Sequence, residues 1–123
     1  MLRDGVGLVF DAFAAGDLEP IRFKRGDDSV ELDAMPGATE CDVVTSDGAI
    51  RTVKTQDWIV RVGDLVIAGE PIEPRRGSDS VELLDDAGAV VRTYAVTHPG
   101  GGEPFHYCDQ FRVLMRIQTV ERQ

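Results

Sequence analysis

Apolar and polar residues alternate near the C-terminus of the chain. Phe111, Val113, Met115 and Ile117 share one parity, and Arg112, Arg116 and Gln118 share the other, with Leu114 the only apolar exception. Successive side chains of a strand point to opposite faces, so residues 111–119 predict a strand with one face in a core and one in water. A helix would scatter these arginines around its circumference. This strand is expected to lie at the centre of an antiparallel sheet.

The rest of the chain is read around it. Leu2, Val6, Val9, Phe10 and Phe13 fall at helical spacing, which predicts one short helix within residues 1–16, best formed from 7 to 15 and stopped at Gly16. Its apolar stripe is expected to cover an open edge or mouth of the sheet. Beyond Pro20, Ile21 and Phe23 alternate with Arg22 and Lys24, and Val30 and Leu32 follow across the turn Arg25-Gly26-Asp27-Asp28. Met35-Pro36-Gly37 predicts a break. Strands over 39–45 and 50–55 follow, joined by the hairpin signal Ser46-Asp47-Gly48. Trp58 to Val62 is extended, with Trp58 buried, and residues 63–69 suit a turn of helix. Pro71 and Pro74 exclude a regular central strand where they stand. Arg75-Arg76-Gly77-Ser78-Asp79 leads into Val81 and Leu83, Asp85-Asp86-Ala87-Gly88 turns the chain, and residues 89–97 form a strand carrying Tyr94. His98 to Pro104 is a glycine-rich loop, and Phe105 to Tyr107 leads back to the strand read first. One helix with roughly seven or eight short strands favours a mainly β fold, a small antiparallel β-barrel over residues 20–120, with a sandwich as the lesser alternative.

The length of 123 residues suits one domain, 1–123, and a hydrophobic share of 42% suits a globular core rather than a disordered chain. Asp and Glu number 22 against 13 Lys and Arg, a formal net charge of -9, which excludes the basic footprint of a sequence-reading nucleic-acid binder. Cys41 and Cys108 read as two free thiols in a reducing cytoplasm. No apolar run is long enough to span a membrane, and no basic region followed by an apolar one marks a secretion signal.

His98, Glu103, His106, Cys108 and Asp109 are residue types that bind metals, and they lie close together in sequence. Their spacing matches neither a helical His-Glu-x-x-His nor a paired-cysteine pattern, so a surface loop and a half-buried strand are preferred over a metal site. Gly100, Gly101 and Gly102 form no phosphate-binding motif, and no Gly-x-Ser-x-Gly marks a nucleophile. The acids are spread over turns rather than paired. No catalytic residue, metal or cofactor is expected.

The order of segments carries a resemblance. It runs from the N-terminal helix through Phe23-Lys24-Arg25-Gly26-Asp27-Asp28-Ser29-Val30, Asp57-Trp58-Ile59-Val60 and Pro74-Arg75-Arg76-Gly77-Ser78-Asp79. It ends with Tyr94-Ala95-Val96, Gly101-Gly102-Glu103-Pro104, Tyr107-Cys108-Asp109 and Arg116-Ile117. In layout this resembles the head–tail joining proteins of tailed phages and prophages, also called stoppers or head-closure proteins. One departure is Gly77-Ser78-Asp79, where Gly-Asp directly is expected. The resemblance implies a structural virion protein and not an enzyme. It implies a β-barrel subunit of a hexameric or dodecameric ring in the neck, assembled in the host cytoplasm. Its partners would be portal–adaptor and tail proteins, and it would let genomic DNA pass and retain it until the tail attaches. Subunit and partner contacts are expected at Arg75, Arg76, Phe105, Tyr107 and Arg112. Lumen or gating loops are expected at Asp27 and Asp28, at Asp85 and Asp86, and at Gly100, Gly101, Gly102 and Glu103. An acidic lining would withhold counterion-release affinity and let the duplex slide. The alternatives are a tail terminator or capsid-associated minor protein, and a small metal-binding β-barrel enzyme using His98, His106 and Cys108.

Overall fold

The structure, a computed structural model, describes residues 18–122. The helix expected within residues 1–16 lies outside them. The described chain is mainly β. Its strands are β1 (Glu19–Arg25), β2 (Asp28–Val44), β3 (Ile50–Arg61), β4 (Val66–Ile67), β5 (Glu70–Pro71), β6 (Asp79–Leu84), β7 (Val90–Val96), β8 (Phe105–Tyr107) and β9 (Leu114–Glu121), with a 3-10 turn at Val62–Asp64. All pairings are antiparallel. The main sheet runs β3-β2-β1-β6-β7-β9-β8, and β9 also pairs with β3, so the ladder returns to its start.

Alternation decides which face is buried. Ile21 and Phe23, Leu32 and Ala34, Trp58 and Val60, Met115 and Ile117 enter one core with Val81, Tyr94 and Val96. Each pair is two residues apart on its strand, so one face of each strand supplies the core. Trp58 is buried as expected, its ring meeting Tyr94 edge-on at 5.4 Å. Fully burying side chains of this size is worth about 2–3 kcal/mol each.

Three local expectations are corrected. First, β2 does not break at Met35-Pro36-Gly37: it is one strand of 17 residues, and Pro36 sits in register opposite Trp58. The proline is tolerated because β1 pairs only as far as Ala34, so Pro36 needs no ladder donor on that side. Likewise Trp58 to Arg61 continues β3 rather than starting a new segment.

Second, β9 begins at Leu114, not at Phe111. The Asp109 carboxylate accepts hydrogen bonds from the backbone N–H groups of Phe111, Val113 and Leu114 at 3.0, 3.0 and 3.1 Å, and Arg112 adopts a left-handed φ of 56°. That Asx-type turn takes the amides a longer strand would use, and Phe111 is left 55% exposed.

Third, the second face of β9 is not wet. Leu114 packs with Ile59 in a smaller cluster beside Leu18, Met35 and Val113, and Gln118 is buried. Arg116 is half-buried because it pairs with the buried Asp57 of β3. Gly77-Ser78-Asp79, the departure noted above, leaves β6 in continuous register with β1 from Arg25↔Asp79 to Ile21↔Leu83.

Candidate interaction surfaces

Antiparallel connection sorts the loops onto two ends. Arg25 pairs with Asp79, and Arg61 with Leu114. The turn Gly26-Asp27, the stretch 62–78 and the turn 108–113 therefore share one end, the loop end. The turn 85–89 and the hairpin joining β2 to β3 share the other, the arm end.

At the loop end a buried acid organises the surface. Asp79 opens β6 with its side chain fully buried, and a buried carboxylate needs partners. Arg25 donates to it twice, from Nε at 2.9 Å and Nη2 at 2.7 Å, and Arg75 donates its backbone N–H at 2.7 Å. Nη2 of Arg25 also donates to the Glu73 carbonyl at 2.7 Å. These bonds fix residues 73–75 against the sheet and leave the Arg75 and Arg76 side chains exposed. Glu73 in turn accepts the Tyr107 hydroxyl at 2.9 Å, which pushes the phenol pKa above its ordinary value. The Arg112 guanidinium lies 4.9 Å from the centre of the Tyr107 ring, within cation–π range. Phe105 meets Tyr107 edge-on at 6.0 Å. A cleft of about 490 Å³, lined by Pro71 to Arg75, Arg25, Glu103 and Phe105, adjoins the patch.

Thus Arg75, Phe105, Tyr107 and Arg112 are brought into one patch, with Arg76 in the adjoining turn. Phe105 and Tyr107 are half-buried and backed by the core, so they offer edges rather than free side chains. The Asp79 clamp that builds the patch carries no sequence signal beyond an acid opening a strand.

The acidic loops divide. Gly26, at φ 61°, opens the two-residue β1–β2 turn, which leaves Asp27 and Asp28 exposed at the loop end. Asp85 and Asp86 lie at the arm end. Asp85 accepts the backbone N–H groups of Ala87 at 2.9 Å and Ala89 at 2.8 Å and so holds its own turn, while Asp86 faces solvent.

The glycine loop is folded back on the body. Gly101 donates to the His98 carbonyl at 2.9 Å, Gly100 to His98 Nδ1 at 3.0 Å, and Gln118 to the Pro104 carbonyl at 2.7 Å. A Cβ on Gly100 would stand 3.0 Å from Cys41 Sγ and 3.0 Å from His98 Cε1, so any larger residue must push these side chains aside. Glu103 is exposed beside the cleft.

His98, Glu103, His106, Cys108 and Asp109 do not converge: among the described residues no three His, Cys, Asp or Glu side chains are grouped to hold a metal. Asp109 is occupied by its turn, and partial desolvation pushes the thiol of Cys108 up although the residue as a whole is exposed. Both cysteines are free.

At the other end, six registered pairs from Thr39↔Thr55 to Val44↔Ile50 extend β2 and β3 beyond the body. At about 3.3 Å per residue this arm is roughly 20 Å long. The loop Thr45–Ala49 closes it through Thr45–Ala49 and Gly48–Thr45 backbone bonds, with Gly48 at φ 85°. Asp47 accepts from the Thr45 hydroxyl and the Ala49 N–H, which holds its carboxyl below the usual range. The arm's root is pinned by the fully buried Asp57: Arg116 Nη1 donates at 2.7 Å, Thr55 at 2.6 Å, and the Thr39 hydroxyl makes a short bond. The alternation of 39–45 and 50–55 was legible as strands. Their projection past β1 and β9 was not, because partner order is invisible in a single sequence.

Extended ladders, exposed arginines beside half-buried ring edges, and acids set in turns describe a structural module built from contact surfaces. The chain matches, over residues 1–123, the family described as phage head-tail joining protein, and it belongs to that family. The family is structural rather than enzymatic, and its role lies in the phage neck. No curated protein and no solved structure matches the chain. No helix among the described residues is long and apolar enough to cross a membrane.

Proposed function

We propose that this chain is a one-domain barrel subunit of a hexameric or dodecameric ring, a stopper that sits between portal–adaptor and tail, lets DNA pass and retains it beforehand. The family match over the whole chain carries this reading. Two structural features support it. The pairing of β9 back to β3 is what a barrel subunit requires. The two ends are chemically unlike, an arginine and aromatic patch at one and a long hairpin at the other, which suits a subunit that meets different partners above and below. On this reading the exposed Asp27 and Asp28 at one end and Asp86 at the other, where they line the passage, withhold the counterion-release affinity that would stall the duplex.

The test is to image particles carrying a tagged copy and to count copies per particle. The expected result is density at the neck in six or twelve copies, and DNA-leaking, tailless heads when the chain is missing. A tag at the distal end of the tail or scattered over the capsid would replace this reading with the terminator or the capsid-associated one.

A further inference from the structure

The arm has two open edges. β2 loses β1 as a partner after Ala34, and β3 gains β9 only from Gln56, so among the described residues 39–44 and 50–55 pair with each other alone. Apart from the glycine loop against Cys41, the arm is a two-stranded ribbon, which is marginal in water, and open edges invite further strands. The two strands differ in charge. The β2 side carries Glu40 and Asp42, and the β3 side carries Arg51 and Lys54. Glu40, Asp42, Val44, Ile50, Thr52 and Lys54 share one face by register, and all six are exposed, Val44 by 71% and Ile50 by 73%. Neither Glu40 nor Lys54 has an ion-pair partner among the described residues.

Resting on the ring reading above, we propose that arms of adjacent copies pair edge to edge, the outer edge of β2 on one copy against the outer edge of β3 on the next, so that a second copy of this chain is the arm's partner. In a ring all arms point the same way, and β2 and β3 run oppositely within each arm, so the new pairing is antiparallel. It places Glu40 and Asp42 of one copy on the same face as Lys54 of its neighbour, where opposite charges across strands stabilise and like charges oppose. A two-fold pairing would set β2 against β2, acid on acid, or β3 against β3, base on base. The charge pattern therefore selects a head-to-tail contact, the kind that generates rings rather than dimers. The apolar tips Val44 and Ile50 of successive copies then cover one another.

The experiment uses the full chain and two charge-reversed variants, E40K/D42K and R51E/K54E, with assembly followed by native mass spectrometry and light scattering. Each variant alone is expected to need about tenfold or more higher concentration to assemble than wild type. An equimolar mixture is expected to restore assembly, with the two variants alternating around the ring. In that mixture each hairpin keeps its own like charges, so recovery reports contact between chains and not repair of a damaged arm. Wild-type assembly by either variant alone, failure of the mixture to recover, or a wild-type chain that stays monomeric at millimolar concentration would overturn the edge pairing. The ring reading is judged separately, by copy number at the neck in particle images, and survives if another surface makes the ring.

Discussion

Arg116→Met tests the pin at the root of the arm. The substitution keeps most of the stem and removes the charge. It leaves the Asp57 carboxylate, fully buried, without the Nη1 donor at 2.7 Å. Breaking a buried pair from one side typically costs about 3–5 kcal/mol, because the orphaned charge stays desolvated. Two effects push the value to the lower end. The Arg116 side chain is 27% exposed, so water screens part of the pair, and the Thr39 and Thr55 hydroxyls still reach the carboxylate. The expected loss is about 3 kcal/mol, a large part of the roughly 5–15 kcal/mol that holds a domain of this kind. For a chain of this size that lowers Tm by about 12 °C. Urea unfolding followed by circular dichroism measures the loss. The double variant Asp57→Leu with Arg116→Met removes both charges and is expected to be more stable than Arg116→Met alone. Amide exchange over residues 39–55 should quicken in the single variant before it does in the body. A single variant within about 0.5 kcal/mol of wild type, or a double that simply adds the two losses, would refute the pin.

Other outcomes follow from the same contacts. Gly100→Ala drives a methyl group against Cys41 Sγ and the His98 ring, and should cost about 1–2 kcal/mol, part of it recovered by Cys41→Ala in a thermal-melt cycle. Asp47 should titrate below the ordinary carboxylate value by NMR, first because of the Thr45 hydroxyl, and Thr45→Val should raise it. With its folded pKa depressed, Asp47's contribution is present above the unfolded pKa and lost as pH falls through the folded one. Tyr107 should ionise above about 10 by phenolate absorbance, and the pH at which it does should fall on Glu73→Gln. Its raised pKa means the contribution is intact below the unfolded value and disappears as pH rises through the folded one. Trp58→Phe should cost less than its volume suggests, because the buried Trp58 Nε1 has no hydrogen-bond partner among the described residues, whereas Trp58→Ala should cost about 3–5 kcal/mol by denaturation.

The two-residue period of the sequence located most of the strands, since burying one face leaves a mark on every second residue. It put Ile21 with Phe23, and Met115 with Ile117, on apolar strand faces that the structure buries, without knowledge of any partner. It failed where the deciding interaction lies far away along the chain. Pro36 reads as a breaker until the limit of β1 is known. Phe111 reads as strand until Asp109 is seen taking the amides around it. Arg116 reads as solvated until Asp57, 59 residues away, is found beneath it. The interaction surfaces divide in the same way. Arg75, Phe105, Tyr107 and Arg112 were nameable by residue type, but their gathering depends on Arg25 and Asp79 holding residues 73–75 in place.

On the proposed ring reading, a subunit binds unlike partners along the axis and copies of itself around it. An antiparallel sheet presents its loops at two ends, which serves the first need. It serves the second badly, because a ladder closed by β3 and β9 leaves few backbone edges for a neighbour. The arm removes that conflict on the proposed reading. By carrying β2 and β3 past the strands that cover them, the chain regains two open edges while the body remains sealed. The Asp57 pin then has a function beyond stability. An arm that swings about its root loses its strand-to-strand register with a neighbour, so loosening Arg116 should weaken assembly even under conditions where the body stays folded. Arg116→Met, studied well below its melting temperature, should therefore assemble less tightly than wild type by light scattering. Equal assembly of the two would separate the pin from the contact it is proposed to aim.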